Sequence, residues 1–268
     1  MKLKVLVDNN TFIDEYYFGE PAVSYYIEDN GTKLLFDSGY SDIFIYNAKK
    51  LGIDLKQIDT LVFSHGHNDH TGGFQYLSEY MDLGAVTVVA HPLCFNSKMD
   101  GKENIGSPFQ LEQMKGICKL NLSASPVQIS DNIVFLGEIP KMNDYEIRRK
   151  IGTYNNDGIW TEDTVQDDSA IVYKSREGLF IITGCSHSGI CNILEYAKRV
   201  CKETQIAGVI GGFHLFDTDE QLIKTVEFFR KNKIEYVYPC HCVSFQAKAK
   251  LNEKIPVKEV GVGLTLEL

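Results

Sequence analysis

The sequence predicts a mixed α/β protein in which helices cover sheet faces, and three patterns carry that expectation. The first third is rich in strand-like runs with a hairpin signal at Asp29-Asn30-Gly31. The last third alternates short apolar strands with helix-like stretches, and histidines gather at the ends of the strands.

The elements follow in order. Leu3 to Val7 alternates as a strand, and "AVSYYIE" and "KLLFDSG" are two strands joined by the Asn-Gly turn, an antiparallel start to a sheet. Ser41 to Leu51 has helical periodicity, ended by Gly52. "IDTLVF" then reads as a short buried strand, followed by a helix from near Gly72 and the strand "VTVVA". From about 91 to 163 the signals weaken into a polar stretch with Gly and Pro, in which "VQIS" and "IVFLG" are short strands; an insertion, lid or substrate-facing loop is expected there.

The remainder is more regular. "SAIVYKSREGLFIIT" predicts two strands around a turn, and the next helix sets Ile190, Ile193, Leu194, Ala197, Val200 and Cys201 on one face. After the strand "IAGVI", a helix is expected to open at Thr218, with Gln221 completing a capping box. The strand "EYVYP", a helix from Ser244 and a closing strand near Val257 to Leu266 finish the chain, which is expected to form a single domain over 1–268.

Composition narrows the function classes. The chain of 268 residues carries a net charge of -9, which disfavours a nonspecific grip on nucleic acid or anionic membrane. The opening apolar run is too short for a signal-peptide core, and no later segment approaches the roughly 18 apolar residues of a membrane span. The seven cysteines are scattered without a disulfide framework, so reduced thiols and a cytoplasmic location are expected. The partner is expected to be a small-molecule substrate, and the sequence leaves the oligomeric state open.

Six of the seven histidines follow strands: His65, His67 and His70 after "TLVF", His187 after "LFIIT", His214 after "AGVI" and His241 after "YVYP". That edge is where open α/β sheets collect ligand-binding loops. A lone histidine is more often a satisfied structural residue, but six at one kind of place point to a site. His65 and His67 are two apart, so in an extended loop both rings project to one side and can share a metal ion. Asp69 and His70 come from the tighter turn after them and can face a second ion, while Gly66, Gly72 and Gly73 let the backbone turn closely. The spacing differs from the helical His-Glu-x-x-His pattern, so the site is loop-borne.

"HGHNDH" resembles the His-x-His-x-Asp-His signature of the metallo-β-lactamase superfamily, and the resemblance extends from "LLFDSG" to the later histidines. It implies a four-layer αββα sandwich and a centre of two divalent metal ions, zinc, or else iron or manganese. By the same resemblance His65 and His67 hold the first ion, Asp69, His70 and His241 the second, and Asp37 orients ligand histidines from behind.

The middle of the pattern departs from the family, with "VQDDSA" where a histidine is usual and "TGCSHSG" after the next strand. Three readings are open: His187 supplies the missing ligand, Cys185 takes a bridging or second-metal place, or Asp168 substitutes for histidine. "GGFHL" with "GCSH" and "CHC" resembles a subgroup that includes dihydropterin-ribofuranosylaminobenzene phosphate synthase-like proteins, and three roles are open for His214: a substrate contact, a proton donor or a ligand.

The resemblance implies a hydrolase in which a metal-bound hydroxide, oriented by Asp69, attacks a small ester, lactone or phosphoester while His214 protonates the leaving group. The alternatives are a pterin-related transferase and an iron-dependent redox enzyme.

Overall fold

The structure, a computed structural model, describes residues 1–268, and these divide into two compact units. The first comprises Met1–Ala124, Lys150–Asp167 and Gly261–Leu268; the second comprises Ser125–Arg149 and Asp168–Val260. The stretch expected to hold an insertion or lid is thus shared between the units.

The first unit is built on a seven-stranded sheet in the order Thr265–Glu267, Lys2–Val7, Ser24–Asp29, Thr32–Phe36, Thr60–Val62, Thr87–Ala90, Lys119–Leu122. The hairpin between Ser24–Asp29 and Thr32–Phe36 forms at the expected turn. Asn30 and Gly31 take φ of 48° and 88°, the paired positive values that suit the twist of a two-residue hairpin. From Thr32–Phe36 onward the strands run parallel, so Asp37, the Ser64–His65 pair and His91 all leave the sheet at one edge.

On one face of this sheet Leu6, Tyr26, Leu35, Leu61 and Val88 pack against Phe44 and Ala48 of helix Ile43–Lys50 and Phe74 and Leu77 of helix Phe74–Tyr80. Burying each large apolar side chain contributes about 1.5–3 kcal/mol, which is what seats these helices on the sheet. A separate four-stranded sheet, in the order Ile159–Glu162, Thr153–Asn156, Lys98–Asp100, Glu103–Asn104, completes the unit.

The second unit has a six-stranded sheet in the order Tyr236–Pro239, Ile206–Gly211, Gly178–Thr183, Ala170–Ser175, Ile133–Phe135, Val127–Gln128. Gly178–Thr183, Ile206–Gly211 and Tyr236–Pro239 are parallel, which delivers the loops bearing His187, His214 and His241 to one edge. Val172, Ile181, Val209 and Val237 pack with apolar residues of helices Ile190–Cys201, Glu220–Lys231 and Phe245–Asn252.

Two expected boundaries shift. The capping box expected at Thr218 is replaced by a cap one residue later: Asp219 accepts from the Leu222 amide at 3.1 Å, and the helix starts at Glu220. Both residues are good caps, and the carboxylate wins the place. Of the closing strand expected from Val257, only Thr265–Glu267 pairs in the sheet, with Val257 making a lone bridge to Val237. Gly263 breaks the run, its φ of 96° lying where few side-chain-bearing residues go. Ser244 does cap its helix, accepting from the Ala247 amide at 3.0 Å.

Candidate metal centre

Asp37 anchors the histidine cluster of the first unit. It follows the strand Thr32–Phe36, is fully buried, and sits at φ 55°, an uncommon backbone for a residue with a side chain. Its Oδ1 accepts from the Ser64 amide at 2.7 Å, and its Oδ2 accepts from the Ser64 hydroxyl and lies 2.7 Å from His70 Nδ1. A carboxylate on Nδ1 fixes the His70 ring and leaves Nε2 facing Asp69, whose Oδ2 is 3.4 Å away. Burial works to lower the His70 pKa, but the Asp69 and Asp37 carboxylates together hold it well above the usual imidazole range. That is the charge balance of a pocket suited to a cation.

His65 and His67 meet as their spacing suggests, with His65 Nε2 3.0 Å from His67 Nδ1 and ring centroids 4.6 Å apart. One donor atom each from His65, His67 and Asp69 lie within 4.8 Å of one another. Burial lowers the His67 pKa, against the pull of Asp69, and so favours the neutral ring that binds metals. Asp69 and His70 come from a short helix, Asn68–Thr71, with His67 at its N-cap position, so the site is half loop and half helical turn.

The glycines here are spatial requirements. A Cβ at Gly66 would lie 2.0 Å from the Cys94 carbonyl oxygen, and one at Gly73 would lie 2.0 Å from that of Ser38. The loop from Gly66 to Gly73 is therefore pressed against neighbouring backbone on both sides.

Three residues outside the sequence-level candidates support this loop. Lys98, fully buried, places Nζ 2.7 Å from Asp163 Oδ2 and 3.0 Å from Asp167 Oδ1. The other Asp167 oxygen accepts from the Gly66 amide at 2.8 Å. Burial works against each charge, but the Lys98 ammonium holds the Asp167 carboxyl below its usual range and the two carboxylates hold Lys98 above its own. The seventh histidine, His91, also follows a strand; its Nδ1 accepts from the Leu93 amide at 3.2 Å and so turns its own loop.

In the second unit, His187 and His214 are brought together with ring centroids 4.4 Å apart, and Phe216 lies edge-on to His214 at 4.7 Å. His214 and His241 both sit at φ 50°, on sharp turns after their strands, and His241 is buried. Cys242 donates from Sγ to the Cys185 carbonyl at 3.4 Å, and a Cβ at Gly212 would lie 2.4 Å from that sulfur, so three loops interlock. Asp168 supports the His187 loop: its Oδ2 accepts from the Ser188 amide at 2.9 Å and from the Ser188 hydroxyl. Burial raises the Asp168 pKa above the usual carboxylate range.

Behind this loop, Glu146 performs a capping role over a long sequence distance. Helix Ile190–Cys201 has glycine at its N-cap position, Gly189 at φ 93°, with no side chain to offer. Glu146 accepts instead, from the Cys191 amide at 2.8 Å and the Asn192 amide at 2.7 Å, with Asn143 Nδ2 donating at 2.8 Å. A shallow polar cleft lies here, lined by Glu146, Arg149, Ser186, His187, His214 and Gln221 among others.

Residues 17–241 match the family described as the metallo-beta-lactamase superfamily. An uncharacterized protein of Methanocaldococcus jannaschii is 32% identical over 252 residues, covering 94% of each chain. The 7,8-dihydropterin-6-methyl-4-(beta-D-ribofuranosyl)-aminobenzene-5'-phosphate synthase of the same organism is 29% identical, with 95% of this chain and 91% of the relative covered. Among solved structures, Tm1679, described as a metal-dependent hydrolase of the beta-lactamase superfamily, superposes with a TM-score of 0.85 at 29% identity, covering 100% of this chain and 99% of the other. With the "HGHNDH" loop, its Asp37 anchor and a matched span of most of the sequence, the chain belongs to the metallo-β-lactamase superfamily and has its fold.

Proposed function

We propose that the protein is a metal-dependent hydrolase of a small ester, lactone or phosphoester. The observation that supports this most is the grouping of His65, His67 and Asp69, with donor atoms within 4.8 Å of one another, beside a His70 ring oriented by Asp37. Imidazole nitrogens with a carboxylate suit zinc, iron or manganese, with zinc our choice. In this reading His65 and His67 serve a first ion and Asp69, His70 and His241 a second. His187 completes the set in preference to Cys185 or Asp168.

Bound there, divalent cations would supply an acidified water and a positive charge opposite the developing oxyanion. The chain's own residues do the rest. Asp69 accepts a hydrogen bond from the attacking water and orients it, and Asp37 holds the His70 ring so that Nε2 faces the site. His214, its ring tilted against that of His187, donates the proton that the leaving group needs. No helix is long and apolar enough to cross a membrane.

The test is elemental analysis of the purified protein together with a panel of esters, lactones and phosphoesters. Zinc, iron or manganese that is lost in Asp69→Ala along with turnover supports the reading. Unchanged metal content and unchanged turnover in that variant would remove Asp69 from the site, and inactivity across the panel at full metal loading would remove hydrolysis.

The similarity to the synthase across nearly its whole length supports a second reading, a pterin-directed transferase. Pyrophosphate release from a dihydropterin diphosphate, without simple hydrolysis, distinguishes it.

A further inference from the structure

Burying an ammonium group between two carboxylates is costly unless every charge is well paired, and such triads are seldom a cheap source of stability. Lys98, Asp163 and Asp167 form one in the first unit, all almost completely shielded from solvent. Its geometry is directed at the ligand loop. Asp167 uses one oxygen for Lys98 and the other for the amide of Gly66, the residue between His65 and His67.

The contact is reinforced by the strand that carries Lys98. A Cβ on Gly66 would lie 3.0 Å from Lys98 Cε, so the loop backbone rests on the lysine stem. The Ile105 amide donates to the Lys98 carbonyl at 3.1 Å, the Asn68 amide donates to the Ile105 carbonyl at 2.8 Å, and His67 forms a bridge with Gly106. Asp163 is itself fixed, its Oδ1 accepting from the Val165 amide at 2.7 Å. The loop is thus held on both sides of His67 by one connected set of bonds.

We propose that Lys98, Asp163 and Asp167 are positioning residues for metal binding: the triad locks Asp167, Asp167 holds the Gly66 amide, and that hydrogen bond sets how His65 and His67 converge on a divalent cation. The inference rests on the reading that these two histidines are metal ligands. The competing role is purely structural, an ion triad that joins the small four-stranded sheet to the rest of its unit.

Affinity for Co(II) and Zn(II), measured on the full chain in competition with a chromogenic chelator, separates the two, together with the visible spectrum of bound Co(II) and thermal melting. Asp167→Asn is expected to weaken binding roughly 10–100-fold, as loss of an outer partner of a metal ligand does, and to change the Co(II) spectrum. Asp163→Asn leaves the Gly66 bond in place and is expected to act in the same direction with a smaller effect. A lower melting temperature with unchanged affinity and spectrum in Asp167→Asn would overturn the proposal. If that variant does not fold, unchanged affinity and spectrum in Asp163→Asn overturn it instead. Failure of the unsubstituted chain to bind either ion would remove the functional reading itself, and this inference with it.

Discussion

Gly189→Ala tests whether the remote Glu146 cap organises the loop that bears His187. The new Cβ would lie 2.4 Å from Glu146 Oε2 and 2.5 Å from its Cδ, on a backbone with φ of +93°. The backbone strain costs about 1–3 kcal/mol. Relief of the clash requires Glu146 to leave, which frees the Cys191 and Asn192 amides at the start of a 12-residue helix. Each lost cap costs about 1 kcal/mol, so the total is roughly 3–5 kcal/mol, a large part of the roughly 5–15 kcal/mol that holds a typical domain. Urea unfolding of Gly189→Ala, Glu146→Ala and the double variant checks the origin. With Glu146 already truncated the cap cannot be lost a second time and only the residue-146 Cβ, 2.6 Å away, has still to shift, so the two costs should fall short of additivity by about 2 kcal/mol. Additivity within about 0.5 kcal/mol would refute the reasoning, because the glycine would then be making room for something other than Glu146.

Other outcomes follow from the same contacts. Burial pushes the Glu146 carboxyl above its ordinary value of 4.5, so the stability it contributes is complete below the unfolded value and is lost as pH rises through the folded one. The stability advantage of wild type over Glu146→Gln should therefore shrink with rising pH across that window in denaturant titrations, and an advantage that grows instead would reverse the assignment. Asp37→Asn removes one acceptor from a carboxylate bonded to Ser64 and His70; it should cost about 1–3 kcal/mol and weaken metal binding, with a wild-type affinity contradicting its orienting role. Gly66→Ala, whose Cβ would meet the Cys94 carbonyl oxygen at 2.0 Å, should give insoluble protein or protein that binds no Zn(II), and a soluble variant with full affinity would count against the tight-loop account.

What was legible in the sequence was local. The Asn30-Gly31 hairpin needs only two residues with positive φ, and the meeting of His65 with His67 follows from their separation by one residue. The parallel strands before His187 and His214 are readable as apolar runs, since both of their faces are buried, while Tyr236–Pro239 before His241 buries alternate residues. The missed supports are distant in sequence: Asp163 and Asp167 lie 65 and 69 residues from Lys98, and Glu146 lies 45 from the amide it caps. A buried Lys in a polar, irregular stretch carries no periodic signal, and an Asp-Asp pair does not reveal that one carboxylate faces a lysine and the other a serine. The shift from Thr218 to Asp219 shows the opposite limit, because two adjacent residues were both good caps and only the packed helix decides between them.

The pairing of Thr265–Glu267 with Lys2–Val7 has a consequence for biosynthesis. Translation makes Lys2–Val7 well before its outer neighbour Thr265–Glu267, so until that neighbour emerges Lys2–Val7 presents an open edge whose backbone groups at Lys2, Leu3 and Lys4 await pairing. Vectorial synthesis can assemble the second unit while the first still lacks its border strand. The nascent chain spends that interval exposed to edge-to-edge association, and chaperone dependence should be greatest just before Thr265–Glu267 leaves the ribosome.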